Sequence, residues 1–208
     1  AVSKATKEDL IKKIGLDPQK IAVVYEAFDK KLFKSSYQLP ITNYFLFVGT
    51  VQPRKNLERV VRAVSYTNAQ LVIVGQKGWM SDEIYALPKK LGIEKRVKFL
   101  GYVPDEKLPK LYSGAIALVF PSLFEGFGLP ILEAQACGCP VITSNISSMP
   151  EVAGKGAILV DPYDIDDIVR GMNRIMNHEL RIKLRKAGFE NIKRFSWEKC
   201  ARETLEVL

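Results

Sequence analysis

Six short apolar runs, β-branched or aromatic in character, set the limits on what this chain can fold into. They are YFLFVG (44–49), QLVIVG (70–75), RVKFLG (96–101), AIALVF (115–120), PVITS (140–144) and GAILV (156–160). None alternates strictly between apolar and polar residues, as expected for strands buried on both faces. The stretches between them, 55–66, 81–91, 105–113, 128–137 and 147–153, read as helices, and 164–207 as two or three helices with no strand. Strand alternating with helix predicts an α/β fold: a Rossmann-like parallel sheet of about six strands, helices on both faces, and further helices at the C-terminus. Gly49, Gly75 and Gly101 each close a strand, where the backbone must turn into the next loop. Ligands of such sheets bind at the carboxyl ends of the strands, so the loops after 48, 74, 100 and 120 are where a site is expected.

A 208-residue chain with 47% hydrophobic and 26% charged residues can bury a real core. No stretch approaches the roughly 20 apolar residues needed to span a bilayer. The start, AVSKATKEDLIKKIG, has no apolar signal-peptide core, so a cytoplasmic protein is expected. Cys137, Cys139 and Cys200 are an odd number and read as reduced thiols, with no second pair or histidine cluster to suggest zinc.

Net charge is +8, from 31 Lys and Arg against 23 Asp and Glu, which points to a partner carrying phosphates. Between Arg170 and Lys199 basic residues outnumber acidic ones by nine to three. The plain reading is a solvated helical face, with peripheral contact to the inner face of a membrane as an extension of it. The rival is a non-enzymatic basic module binding nucleic acid or an anionic membrane. Phe189, Phe195 and Trp197 fit core anchors better than a stacking platform, so nucleic acid is not expected.

The first 40 residues differ from the rest. KATKEDLIKKIGL is an amphipathic helix with Thr6 as its expected N-cap and Gly15 as its stop. KIAVVYEAF reads as a strand and DKKLFKSSYQLP as a linker. Residues 1–40 are therefore expected to be a piece of something upstream, and 41–208 the complete α/β domain.

Two stretches carry chemistry. VGTVQPRKNLERVVRAV places Arg54 and Lys55 after a strand-closing glycine, at what reads as the start of a helix. Cations are normally found at the other end of a helix, so their position favours phosphate binding over two solvated side chains. LFEGFGLPILEAQACG puts Glu125 on a glycine-rich loop and Glu133 eight residues later, near the first turn of the helix that Leu129 and Pro130 open. Gly126 and Gly128 let backbone approach a ligand closely. A phosphate would suit the helix N–H groups, and each carboxylate could accept hydrogen bonds from paired hydroxyls. A nucleotide sugar offers both. The alternative makes Glu125 a solvated loop acid and Glu133 an acid favoured by the helix dipole. On residue chemistry alone the two readings stand level.

The same stretch resembles the signature of retaining glycosyltransferases of the GT-B fold, group 1 (family 4) type: Glu, seven residues, Glu, preceded by PS and followed by ACGCPVI. Further family-like segments follow in order: FVGTVQPRKNL, LVIVG, VKFLGYVPDEKLPKLYSGA, VITSNISSMPEVAGKGAILVDPYD and the closing FSWEKCARETLEVL. The resemblance implies the C-terminal, donor-binding half of a two-domain enzyme. Its missing N-terminal domain would bind the acceptor, and the usual acceptor-side histidine would belong there rather than being His178. Glu125 would lie against the donor sugar, Arg54 and Lys55 would stabilise the departing diphosphate, and Glu133 would hold the ribose hydroxyls. Backbone amides of Gly126, Phe127, Gly128 and Leu129 would meet sugar and diphosphate. Gly49, Thr50 and Gly75 would line the pocket, and Tyr102 with Val103 would border the base. Many members carry Arg where this chain has Thr50, which leaves Arg54 to take that role.

The resemblance implies a UDP- or GDP-sugar as donor, a hexose as the group moved, with a slight lean to mannose, and no metal or other cofactor. Asp164-Ile165-Asp166 reads as a helix start rather than a metal motif. A GT-B-like sugar-nucleotide epimerase is the remaining enzymatic alternative.

Overall fold

The computed structural model describes residues 1–35 and 42–207. The six apolar runs become β1 (Tyr44–Val48), β2 (Gln70–Val74), β3 (Val97–Gly101), β4 (Ala117–Phe120), β5 (Val141–Ser144) and β6 (Ala157–Val160). All pair in parallel in one sheet of order β3-β2-β1-β4-β5-β6. This is the doubly wound order: the chain builds outward from β1 to β3, then returns beside β1 to build the other half.

The helices are α1 (Lys4–Ile14), α2 (Leu57–Ser65), α3 (Asp82–Lys90), α4 (Leu108–Gly114), α5 (Leu129–Ala136), α6 (Met149–Ala153), α7 (Ile165–Arg174), α8 (His178–Asn191) and α9 (Trp197–Leu205). They cover both faces of the sheet, with α2 packed against α3 and α7, and α5 against α4, α6 and α8. In α2 the buried Leu57, Val60, Val61 and Val64 recur at the spacing of one helical face, which is why this segment can lie on the sheet.

The two central strands, β1 and β4, are buried along nearly their whole length: only Tyr44 of β1 is half-buried, and Phe45, Leu46, Phe47 and every residue of β4 are at most 1% exposed. The edge strands depart from the expected continuous burial. Lys98 and Leu100 in β3, and Leu159 in β6, are exposed, because an edge strand lacks full cover. No helix among the described residues is long and apolar enough to cross a membrane.

Two local expectations are corrected. Ser3, not Thr6, caps α1: its Oγ accepts from the Thr6 N–H at 3.0 Å. Gly15 ends that helix as expected, at φ 75°. The segment KIAVVYEAF is no strand. It exchanges two hydrogen bonds with Ala1 (Ala1 N to Ala22 O, Val24 N to Ala1 O) and buries Ala27 and Phe28 against the core. Two bonds to one residue do not make a ladder. The boundary drawn at residue 40 and the end of the linker fall within 36–41, outside the described residues.

Candidate active site

The strand order reverses between β1 and β4, so the loops leaving these two strands diverge around a crevice. The β1 loop carries Gly49, Thr50 and a short 3-10 turn, Pro53–Lys55; the β4 loop carries Glu125. Arg54 Nη1 lies 2.8 Å from Glu125 Oε2, and Lys55 Nζ 2.6 Å from Oε1. One carboxylate thus holds two cations, one on each oxygen. The Lys55 and Glu125 side chains are only 12% and 10% exposed, which strengthens their mutual field.

Backbone bonds fasten the two loops. The Leu123 N–H donates to Arg54 O at 2.9 Å, and Arg54 Nη1 donates to Phe124 O at 2.5 Å. Asn56 Nδ2 donates to Pro121 O and Pro162 O, at 2.9 and 2.7 Å. Asn56 also sits at φ 60°, a left-handed conformation that Asn tolerates, and this ends the turn before α2 begins at Leu57. Arg54 and Lys55 therefore precede the helix instead of starting it. Their reach towards Glu125 comes from the turn, not from a helix N-terminus.

Glu125 is held by its backbone as well. Ser147 Oγ accepts from the Glu125 N–H at 3.2 Å and donates to Glu125 O at 2.9 Å. Ser148 Oγ lies 3.1 Å from Glu125 O and 2.7 Å from Phe127 O. Ser147 has φ 58°, a strained conformation for serine that these bonds help to hold. On the far side, Gly126 O accepts from Ser3 Oγ at 2.7 Å and Thr6 Oγ1 at 3.1 Å, and Glu151 accepts from the N–H groups of Lys4 and Ala5. The start of α1 is thereby joined to the glycine loop.

Phe127 is buried, with its ring 5.7 Å from Phe195 and 6.1 Å from Tyr25, so only its backbone faces the loop. Gly128, at φ 113°, precedes α5, and no side chain caps that helix. In that first turn Pro130 has no N–H and the Ile131 N–H donates to Gly128 O at 3.0 Å, so the Leu129 N–H is the one donor there with neither an intrahelical partner nor a side-chain cap among the described residues. Leu129 opens the helix, so Glu133 is its fifth residue, in the second turn, and α5 has no acid in its first turn. That removes the dipole explanation for Glu133.

Glu133 has a different partner altogether. Tyr112 of α4, fully buried, donates its hydroxyl to Glu133 Oε2 at 2.8 Å. Burial raises the Glu133 carboxyl above its ordinary value; the Tyr112 hydrogen bond pulls it down and Asp105 adds to the rise. Burial, followed by the nearby Glu133, holds the Tyr112 phenol well above its own ordinary value, so it remains a donor.

The strand-closing glycines adjoin this crevice. Gly49 N–H donates to Val74 O and Gly75 N–H to Gly101 O, each at 2.8 Å. A Cβ on Gly75 would overlap the Gly49 carbonyl, so only glycine allows these strand ends to touch. Gly49 also lies against the Lys55 side chain, where a Cβ would meet Cε at 3.6 Å. Thr50 Cγ2 packs close to Gly78. Tyr102 and Val103 follow β3, an edge strand two places from β1; Tyr102 is exposed and Val103 half-buried.

Residues 29–194 match the family described as Glycosyl transferases group 1. The chain belongs to that family. It is 39% identical over 178 residues to O-antigen chain mannosyltransferase B of Escherichia coli, covering 82% of this chain and 47% of that protein. It is similar in structure to sucrose-phosphate synthase from Thermosynechococcus elongatus, with TM-score 0.82 and 27% identity over 97% of this chain and 55% of that one. It also superposes on Anabaena Alr3699/HepE, solved in complex with UDP and glucose, with TM-score 0.87 and 24% identity over 99% of this chain and 61% of that one. The chain thus spans about half the length of the curated relatives it matches. Its sheet is the Rossmann-like half of a GT-B architecture.

Within this glycosyltransferase domain, sequence reasoning missed several residues that hold the site. The left-handed backbone of Ser147 leaves no mark in the sequence. Asn56 had a legible signal, since Asn before an apolar helical run tolerates positive φ. Tyr112, 21 residues before Glu133, had none. Asp164 caps α7 by accepting from the Asp166 N–H at 2.8 Å, and Arg170 bridges Asp164 and Asp167. Lys193 and Lys199 pair with Glu190 and Glu203, as a solvated helical surface would.

Proposed function

We propose that this chain is the donor-binding domain of a retaining hexosyltransferase that takes a nucleoside-diphosphate sugar, with mannose as the favoured sugar. The observation that carries the reading is the cluster of Arg54, Lys55 and Glu125 at the reversal of strand order, beside the uncapped start of α5. Two cations and one carboxylate leave a net positive charge where a diphosphate would be neutralised. As the bond between the sugar and the diphosphate breaks, negative charge grows on the leaving oxygen, and Arg54 and Lys55 are fixed in advance to meet it. Glu125 would accept hydrogen bonds from the sugar hydroxyls, and Glu133 from the ribose. The acceptor hydroxyl would be presented by an upstream domain, with synthesis of a surface polysaccharide at the cytoplasmic side as the setting.

Relatives named as mannosyltransferases of O-antigen chains support the sugar and the setting. The binding of UDP and glucose within the same fold in the Anabaena protein supports a nucleotide-sugar donor. Thermal denaturation with a panel of UDP- and GDP-sugars tests the reading. At least one should raise the melting temperature, and Lys55→Ala or Glu133→Ala should abolish the rise. Titration calorimetry showing no nucleotide-sugar binding to an enzyme containing this domain and its acceptor domain would overturn it.

A further inference from the structure

We propose that Tyr112 is a positioning residue of the nucleotide site, fixing the Glu133 carboxylate through Oε2 so that its remaining acceptor capacity meets the ribose hydroxyls. The inference rests on the donor-binding reading above and names a residue that reading does not contain.

A fully buried phenol needs an acceptor, and a backbone carbonyl would serve. Tyr44 takes that course, donating to Leu111 O at 2.7 Å. Tyr112, the next residue along α4, instead turns its hydroxyl across the α4–α5 contact to the one carboxylate on α5. Its ring is gripped edge-on by Phe33, centroids 6.1 Å apart, and has no exposed surface, so the hydroxyl is fixed in place. Glu133 has three rotatable side-chain bonds; a fixed donor on one oxygen removes most of the freedom that ligand binding would otherwise have to remove.

The same bond favours the ionised carboxylate, the form that accepts from hydroxyls. Asp105, from the turn before α4, opposes ionisation, as does burial. Cys137 at the end of α5 stays protonated, its thiol pushed up to about 12 by burial, and Cys139 on the Tyr112 side is pushed higher still. From α6 and α8, the Glu151 carboxylate is engaged by Lys4, Ala5 and Tyr25, and Arg185 by Ser35. Tyr112 is the group that counters burial here.

The test is calorimetric titration with UDP-glucose and with GDP-mannose between pH 5 and 8, using the wild type, Tyr112→Phe, Glu133→Gln and the double variant. Tyr112→Phe should weaken whichever donor binds by about tenfold at pH 7, the size of one hydrogen bond to a charged group. It should also move the acid-side fall in affinity to higher pH, because Glu133 then takes up its proton sooner. Glu133→Gln should abolish that fall, and adding Tyr112→Phe to it should no longer change the pH dependence. Should Tyr112→Phe fail to fold, Tyr112→3-fluorotyrosine keeps the volume, strengthens the donor and should move the fall to lower pH. A Tyr112→Phe profile equal to wild type overturns the proposal. So does a loss that is the same at every pH and persists beside Glu133→Gln, since that is packing alone. Wild type binding neither sugar nucleotide overturns the donor reading itself, and this inference with it.

Discussion

Glu125 and Glu133 are the same side chain eight residues apart, yet the fold treats them in opposite ways. Glu125 sits on a loop and is gripped by two cations, with its backbone fastened by Ser147 and Ser148. Glu133 sits on a helix, is gripped by a neutral phenol, and pays for its burial with a raised pKa. A buried carboxylate with cations on both oxygens is part of the local framework, because removing it strands charge in a poorly solvated place. A buried carboxylate with only a phenol beside it is a standing cost, tolerable where a ligand can use it. The contrast separates a carboxylate tied into the loop framework from one that, on the proposed donor-binding reading, is kept for a ligand.

The largest expected effect breaks the first half of this contrast. Lys55→Ala should reduce nucleotide-sugar affinity by about 100-fold, since it removes a charge-assisted contact to phosphate in a site of low exposure. Calorimetry showing a change below threefold would mean that the diphosphate does not sit on this cluster. Next comes Glu125→Ala, which strands Lys55. A stability loss of about 2–3 kcal/mol is expected, under the range for fully buried pairs because Arg54 is 37% exposed. Free UDP or GDP should bind this variant no more weakly than wild type, because the competing carboxylate is gone. Urea denaturation together with nucleotide titration checks both halves.

The third prediction concerns pH. The Glu133 pKa is raised in the folded protein, so its protonated form is favoured by folding. Its stabilising contribution is complete below the unfolded-state value and is lost as pH rises through the folded value. Glu133→Gln should therefore raise the melting temperature at pH 7, flatten its dependence on pH above 4, and weaken donor binding. A variant less stable than wild type at pH 7 would show that Glu133 helps to build the site after all. The smallest effect sharpens the contrast at Ser147. Ser147→Ala loses the hydroxyl and keeps the strain, and should cost about 1–2 kcal/mol. Ser147→Gly loses the same hydroxyl but relieves the left-handed backbone, and should cost less. Equal costs in thermal denaturation would mean that the strain at φ 58° carries no energetic weight.

Most of the sheet was legible because parallel strands buried on both faces must be apolar throughout, and a glycine-closed apolar run states that locally. The edge strands β3 and β6 read like the central ones because the runs do not say which will lose a neighbour. KIAVVYEAF misled for a related reason: an apolar run is needed to form a strand but does not supply the partner. At the site, Arg54, Lys55, Glu125 and the glycines were legible as residue types suited to phosphates and hydroxyls. Their convergence was not. Arg54 and Glu125 are 71 residues apart, and only the return of the chain to β1 after β3 brings them together.

The sequence by itself determined the six strands of the sheet, the helices between them, and which loops could bear a ligand. These follow from local rules of burial, backbone freedom and charge that neighbouring residues carry among themselves. The tertiary structure decided which acid pairs with cations and which with a phenol, and that Ser147, Asn56 and Tyr112 hold them. Those outcomes depend on strand order and on helices from opposite ends of a crossover packing side by side, and such contacts leave no periodicity along the chain to read.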